Sequence, residues 1–101
     1  MIRKQLPIIC PSCQGLLKVQ RLACDTCETT VGGSFGLPIL ARLPSEDQDF
    51  IIRLIEASGS LKEMARVYGL SYPTIRNRLD SLIDKIAQIK KNTEAEEDGD
   101  A

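Results

Sequence analysis

Two Cys-x-x-Cys pairs, Cys10-Pro-Ser-Cys13 and Cys24-Asp-Thr-Cys27, lie ten residues apart and contain all four cysteines of the chain. Two residues between cysteines allow a tight knuckle that turns both thiolates toward one point. Two knuckles make a tetrahedral S4 cage, the geometry zinc takes in closed structural sites. The gap is shorter than the commonest ribbon spacing, but one strand covers it. Disulfides need an oxidising compartment, and a thioredoxin-like pair expects a βαβ setting that is missing here. Iron suits the same donors. Cys10, Cys13, Cys24 and Cys27 are therefore the expected ligands of a structural Zn2+, with iron left open. A catalytic zinc keeps an open position and usually employs His or a carboxylate, and this chain has no His. With no nucleophile–base pair and no phosphate loop either, an enzyme is not expected and no small-molecule substrate is inferred.

A staple also answers a need of size. The 101 residues are 43% hydrophobic, but with two Phe, two Tyr and no Trp little of the core is bulky. Small cores usually require a metal or disulfides. The start, MIRKQLPII, has an apolar run too short for a signal peptide. No stretch reaches the ~20 apolar residues of a membrane span. The expectation is a cytoplasmic protein with no membrane partner.

Residues 16–22 and 29–35 have partial β character and no helical period, so residues 1–36 read as a ribbon. Residues 37–44 read as a Pro-punctuated connector whose Leu37, Ile39, Leu40 and Leu43 are too apolar to stand free. Residues 45–90 read as a three-helix domain, which makes the chain α+β. Ser45 with Gln48, and Ser60 with Glu63, have the spacing of capping boxes. In the first helix Phe50, Ile51, Leu54 and Ile55 form the expected buried stripe.

The stretch Ser60–Ile86 holds two helical patterns around a Gly-Leu-Ser joint. Leu61, Met64, Ala65 and Tyr68 share a face, Gly69 sits where a left-handed C-cap belongs, and Ile75, Leu79, Leu82, Ile83, Ile86 and Ile89 mark a second, longer helix. Two helices joined by a three-residue turn containing Gly form the helix-turn-helix signature. Ala65 falls where the helices cross, and Ile75 plugs the second helix onto the first. Ile75, Leu79, Leu82 and Ile86 lie within about 40° of one another, and Arg76 and Asn77 point about 100–160° away. Arg is bidentate to guanine and Asn to adenine. Tyr72 and Thr74 are placed for thymine methyls or phosphate, and Arg78 for a phosphate beside the seam. Lys62 and Arg66 are placed as backbone clamps. These charges can equally be an ordinary solvated helix face. Asp80 also faces outward and would repel phosphate unless it accepts from a cytosine amine.

Charge is uneven. The chain carries 13 basic and 14 acidic residues, but Glu94, Glu96, Glu97, Asp98 and Asp100 fall in a segment with no basic residue. The body is thus mildly basic, while residues 91–101 read as a disordered acidic tail that competes with phosphate for the basic face. The ribbon is close to neutral once four thiolates and Zn2+ are counted, a poor anchor for phosphate. The 4-3-4-3 steps of Ile75, Leu79, Leu82, Ile86 and Ile89 form a short heptad pattern. Its later residues need a partner, either the Phe50 helix or a second copy in a homodimer.

CPSC, CDTC, FGLPILARL and GSLKEMARVYGLSYPTIRNRLDSLI together resemble a small prokaryotic family catalogued as a domain of unknown function. That family joins an N-terminal zinc ribbon to a helix-turn-helix. The likeness covers roughly residues 8 to 86 and implies metal ligation by the four cysteines and a regulatory role. The helix pair also looks like the DNA-binding module of bacterial regulators and sigma factors. The leading expectation is a transcriptional regulator that binds double-stranded DNA. The alternative is a protein–protein adaptor that uses the ribbon or the C-terminal helix.

Overall fold

The computed structural model describes the backbone of residues 5–98 and the side chains of residues 5–92. The chain divides into two compact units, Met1–Pro38 and Ile39–Ala101, so the boundary falls inside the expected connector.

The first unit is a hairpin of β1 (Val19–Ala23) and β2 (Thr30–Phe35). The strands are antiparallel, with Leu22 opposite Val31 and Val19 opposite Phe35, and a bulge lies between Val19 and Arg21. Preceding residues add a short third pairing: Ile9 bridges Leu16, and the Leu17 N–H donates to the Ile8 carbonyl at 2.8 Å. Every residue of β2 is exposed, and the facing pair Leu22 and Val31 is 55% and 53% exposed. Leu37 is buried, lining a shallow groove with Leu6, Pro7 and Leu17.

The second unit begins with a 3-10 turn, Ile39–Arg42, that delivers Leu43 fully buried into the core. Helix α1 (Ser45–Glu56) follows. Its N-cap is Pro44, with φ −57° and ψ 154°, and no side chain caps it. The expected Ser45–Gln48 box is therefore not formed, because Ser45 already lies inside the helix. Gln48 instead donates Nε2–H to the Leu43 carbonyl at 2.9 Å. Phe50 is fully buried, and Ile51 and Leu54 pack partly against the core. Ile55 departs from the expected stripe and is 71% exposed. It sits about 140° around the helix from Phe50, against about 40° for Leu54.

Ser58 and Gly59, both at positive φ, turn the chain into α2 (Leu61–Tyr68). Ser60 caps α2 as expected: its Oγ accepts the Glu63 N–H at 3.1 Å. The Glu63 carboxylate turns to Arg66 instead of closing the box. Gly69 ends α2 at φ 66°, and the Leu70 N–H returns to the Ala65 carbonyl at 3.0 Å. No atom lies within 4 Å of a Cβ placed on Gly69, so Gly69→Ala tests backbone conformation alone. A left-handed Ala costs roughly 1–2 kcal/mol. The helical melting transition of Gly69→Ala is expected to fall by about 4–8 °C per kcal/mol, and an unchanged midpoint would contradict this geometry.

Helix α3 (Tyr72–Asp98) starts at Ser71, whose Oγ accepts the Thr74 N–H at 3.3 Å. Leu43, Phe50, Met64, Ile75 and Leu82 form the buried core, and Leu79, Ile86 and Ile89 pack against it. The later heptad residues thus find their partner within the chain, whereas Ile83 is 50% exposed. Lys85 Nζ meets the largely buried Asp47 Oδ2 at 2.7 Å, tying the start of α1 to the middle of α3. Helix α3 continues through Asp98, into the segment expected to be a disordered tail from residue 91. Glu and Ala are good helix formers, and extending an established helix avoids the cost of a new nucleus. Residues 99–101 of the expected tail lie outside the described residues.

Candidate metal centre and nucleic-acid interface

The two cysteine pairs are built on one backbone plan. In the first, the Cys10 N–H donates to the Gly15 carbonyl at 2.8 Å and the Gln14 N–H to the Cys10 carbonyl at 3.0 Å. In the second, the Cys24 N–H donates to Thr29 at 2.8 Å and the Glu28 N–H to Cys24 at 2.9 Å. Gln14 and Glu28, each directly after the second cysteine, take φ 65° and 62°. That turn aims backbone N–H groups at the first sulfur of each pair. The N–H groups of Cys13 and Ser12 hold the Cys10 thiol below its ordinary range, and those of Cys27 and Thr26 do the same for Cys24. N–H donors favour the thiolate, which is the form that ligates metal.

Each pair therefore fits two corners of an S4 site by donor type, local turn and stabilised thiolate. Among the described residues, however, no three potential ligands gather closely enough to share one ion. A resident zinc would be held by Cys10 and Cys13 on one knuckle and Cys24 and Cys27 on the other. It would supply a closed structural cross-link. All four thiols are free of disulfides. The positive-φ residues after each pair escaped sequence reasoning, since neither Gln nor Glu advertises that conformation.

In the helical unit, Arg76 and Asn77 lie next to each other and exposed in the first half of α3, and Tyr72 is 52% exposed at its start. The first turn of α3 has no acid, whereas α1 begins with Glu46 and Asp47 and α2 with Glu63. Thr74 is exposed but its hydroxyl lies 2.8 Å from that of Ser71, within the cap. Lys62 is exposed on α2. Arg66 forks onto Glu63 of its own helix, with Nε 3.1 Å and 3.2 Å from the two carboxylate oxygens. That contact holds Glu63 below the usual carboxylate range. It is a pair exposed enough to be screened by solvent.

Arg78 turns the other way from the phosphate position expected for it. Its guanidinium carbon sits 4.9 Å from the Phe50 ring centre and 5.5 Å from that of Tyr68. Its Nη2 donates to the Glu46 carbonyl at 3.4 Å. Arg53 approaches Tyr68 as well, at 5.7 Å. A cation over an aromatic face gains quadrupole attraction at little desolvation cost. Arg78 thus clasps α3 to α1. The sequence signal was present in its position beside the buried seam, but the two aromatics lie on other helices.

Residues 10–41 match the model of the DUF2089 zinc ribbon, and residues 43–89 match that of the domain of unknown function (DUF2089)-HTH. The chain belongs to the DUF2089 family. Its two matched segments abut near the boundary between the two compact units, so a zinc ribbon precedes a helix-turn-helix in an α+β chain. No curated protein and no solved structure matches it. Both DUF2089 modules are compatible with DNA binding, and the cysteine pairs of the ribbon with zinc. No helix among the described residues is long and apolar enough to cross a membrane.

Proposed function

We propose that this DUF2089 chain is a transcriptional regulator that binds double-stranded DNA, with the first half of α3 in the major groove. The observation that carries the reading is the exposed pair Arg76–Asn77, one turn beyond a helix start free of acids. Phosphate is favoured at such a start by the positive end of the helix dipole. Arg76 and Asn77 have the donor patterns that read guanine and adenine edges, with Tyr72 beside them. Lys62 contributes to phosphate binding, and Thr74, Arg66 and Arg78 act mainly through the scaffold contacts described above. Zinc on Cys10, Cys13, Cys24 and Cys27 staples the ribbon. We place the protein in the cytoplasm, where such cysteines stay reduced, and assign it no enzymatic activity. A homodimer through α3 would use the exposed Ile83, since Ile86 and Ile89 pack inward.

A salt titration with a labelled duplex tests the reading. Affinity is expected to fall steeply with salt as counterions are released. Arg76→Ala is expected to cost roughly 1–3 kcal/mol on a selected site and far less on unrelated DNA. Absence of binding to genomic fragments at low salt would sink the proposal. A second reading, a protein–protein adaptor, is favoured by the exposed Leu22–Val31 pair on the ribbon.

A further inference from the structure

Asp80 is the residue that fits the DNA reading least, because an outward carboxylate on a groove-facing helix repels phosphate. Its position relative to Arg76 gives it a use. Arg76 Nε lies 3.4 Å from Asp80 Oδ1, one turn later on α3, and both side chains are 53% exposed.

The order of the two charges is telling. On α1 the acid precedes the base, Asp49 before Arg53, and on α2 Glu63 precedes Arg66. That order suits the helix dipole and stabilises a helix; the reverse order is the weaker one. On α3 the base comes first. As a helix-stabilising pair, Arg76–Asp80 is therefore built the wrong way round.

The contact also occupies a particular edge of the guanidinium. Arg presents five N–H donors in a rigid fork. A carboxylate on the Nε side draws the group toward one placement by charge and leaves Nη1 and Nη2 for a second, bidentate acceptor. Guanine O6 and N7 form such an acceptor in the major groove. Holding the fork before contact reduces the rotamer entropy lost on binding.

We propose that Asp80 is a positioning residue that orients Arg76 for guanine, so that the pair selects a G·C base pair at one position of the bound site. The proposal rests on the DNA-binding reading of α3. Asp80 weakens phosphate attraction everywhere and in return sharpens discrimination at one base.

The test uses the full zinc-loaded chain and duplexes drawn from a randomised double-stranded library. Wild type is expected to select G at one position. Replacing that G·C by A·T is expected to lower affinity about 5- to 150-fold, the span of a bidentate contact. Asp80→Asn is expected to cut this ratio at least about fivefold while binding unrelated duplex more tightly, since it removes a repulsive charge. Asp80→Glu should restore part of the ratio, and Arg76→Lys, which keeps the charge but not the fork, should lose it. Circular dichroism melts confirm that each variant is folded, and a merely structural role would move affinity for both duplexes equally. A G·C preference unchanged within twofold in Asp80→Asn overturns the proposal and leaves the regulator reading intact, as does wild-type binding with no G preference. Wild type that binds no duplex at low salt overturns both.

Discussion

Stripping metal from the protein with a chelator, or replacing Cys24 with Ser, is expected to unfold the ribbon while the helical unit keeps its own melting transition. The ribbon has almost no core to fall back on. All of β2 is exposed, and Leu22 and Val31 face each other largely in water. An isolated two-stranded hairpin is marginal at best. Structural zinc, by contrast, contributes on the order of 10 kcal/mol or more at neutral pH. The helices draw on Leu43, Phe50, Met64, Ile75 and Leu82 instead. Hydrogen exchange resolved by residue gives the check. Amides of Val19–Ala23 and Thr30–Phe35 should lose protection on chelation, and those around Met64 and Ile75 should keep it. Strand amides that stay protected without metal would show that the cysteines are not what holds the ribbon.

Phe50→Ala is expected to be the most damaging single change in the helical unit, costing about 3–5 kcal/mol. Phe50 is fully buried, its ring centre 5.9 Å from that of Tyr68 and 4.9 Å from the Arg78 guanidinium. Truncation opens a cavity between α1 and α3 and frees the cation that clasps them. A small domain has only ~5–15 kcal/mol of stability to lose. The urea midpoint should therefore fall sharply, and Phe50→Leu, which keeps most of the volume, should fall much less. Equal losses for Ala and Leu would mean that the ring contacts, not the volume, dominate. A loss below about 1 kcal/mol would contradict the burial of this ring.

Much of the architecture was legible in the residues. Periodicity placed Phe50, Met64, Ile75 and Leu82 in one core, and Gly69 announced the left-handed turn between the last two helices. What stayed hidden has a common cause, since it depends on partners distant in the chain or on a shift of one residue. Pro44, not Ser45, is the N-cap of α1, and a slip of one position dissolves a capping box. Ile55 looked like a continuation of its stripe but lies off the buried arc. Of the groove-facing candidates, Arg76 and Asn77 are exposed as their helical phase implied. Arg78 was drawn inward by Phe50 and Tyr68, thirty-two residues from its acceptor at Glu46. The pairing of Asp47 with Lys85 spans thirty-eight residues and leaves no local trace.

Helix α3 runs unbroken from Tyr72 to Asp98. At 1.5 Å per residue, Glu94 is carried about 26 Å beyond Asn77, more than two Debye lengths at ordinary salt. The helix thus has Arg76 near its positive dipole end and the acidic run of its sequence toward the other. Such a separation is a large molecular dipole, aligned along the axis of α3. In the field of a polyanion it experiences a torque that turns the basic tip forward before any contact forms. Orientation at encounter is then a property of α3 itself, and the association rate, more than the lifetime of the complex, carries its imprint.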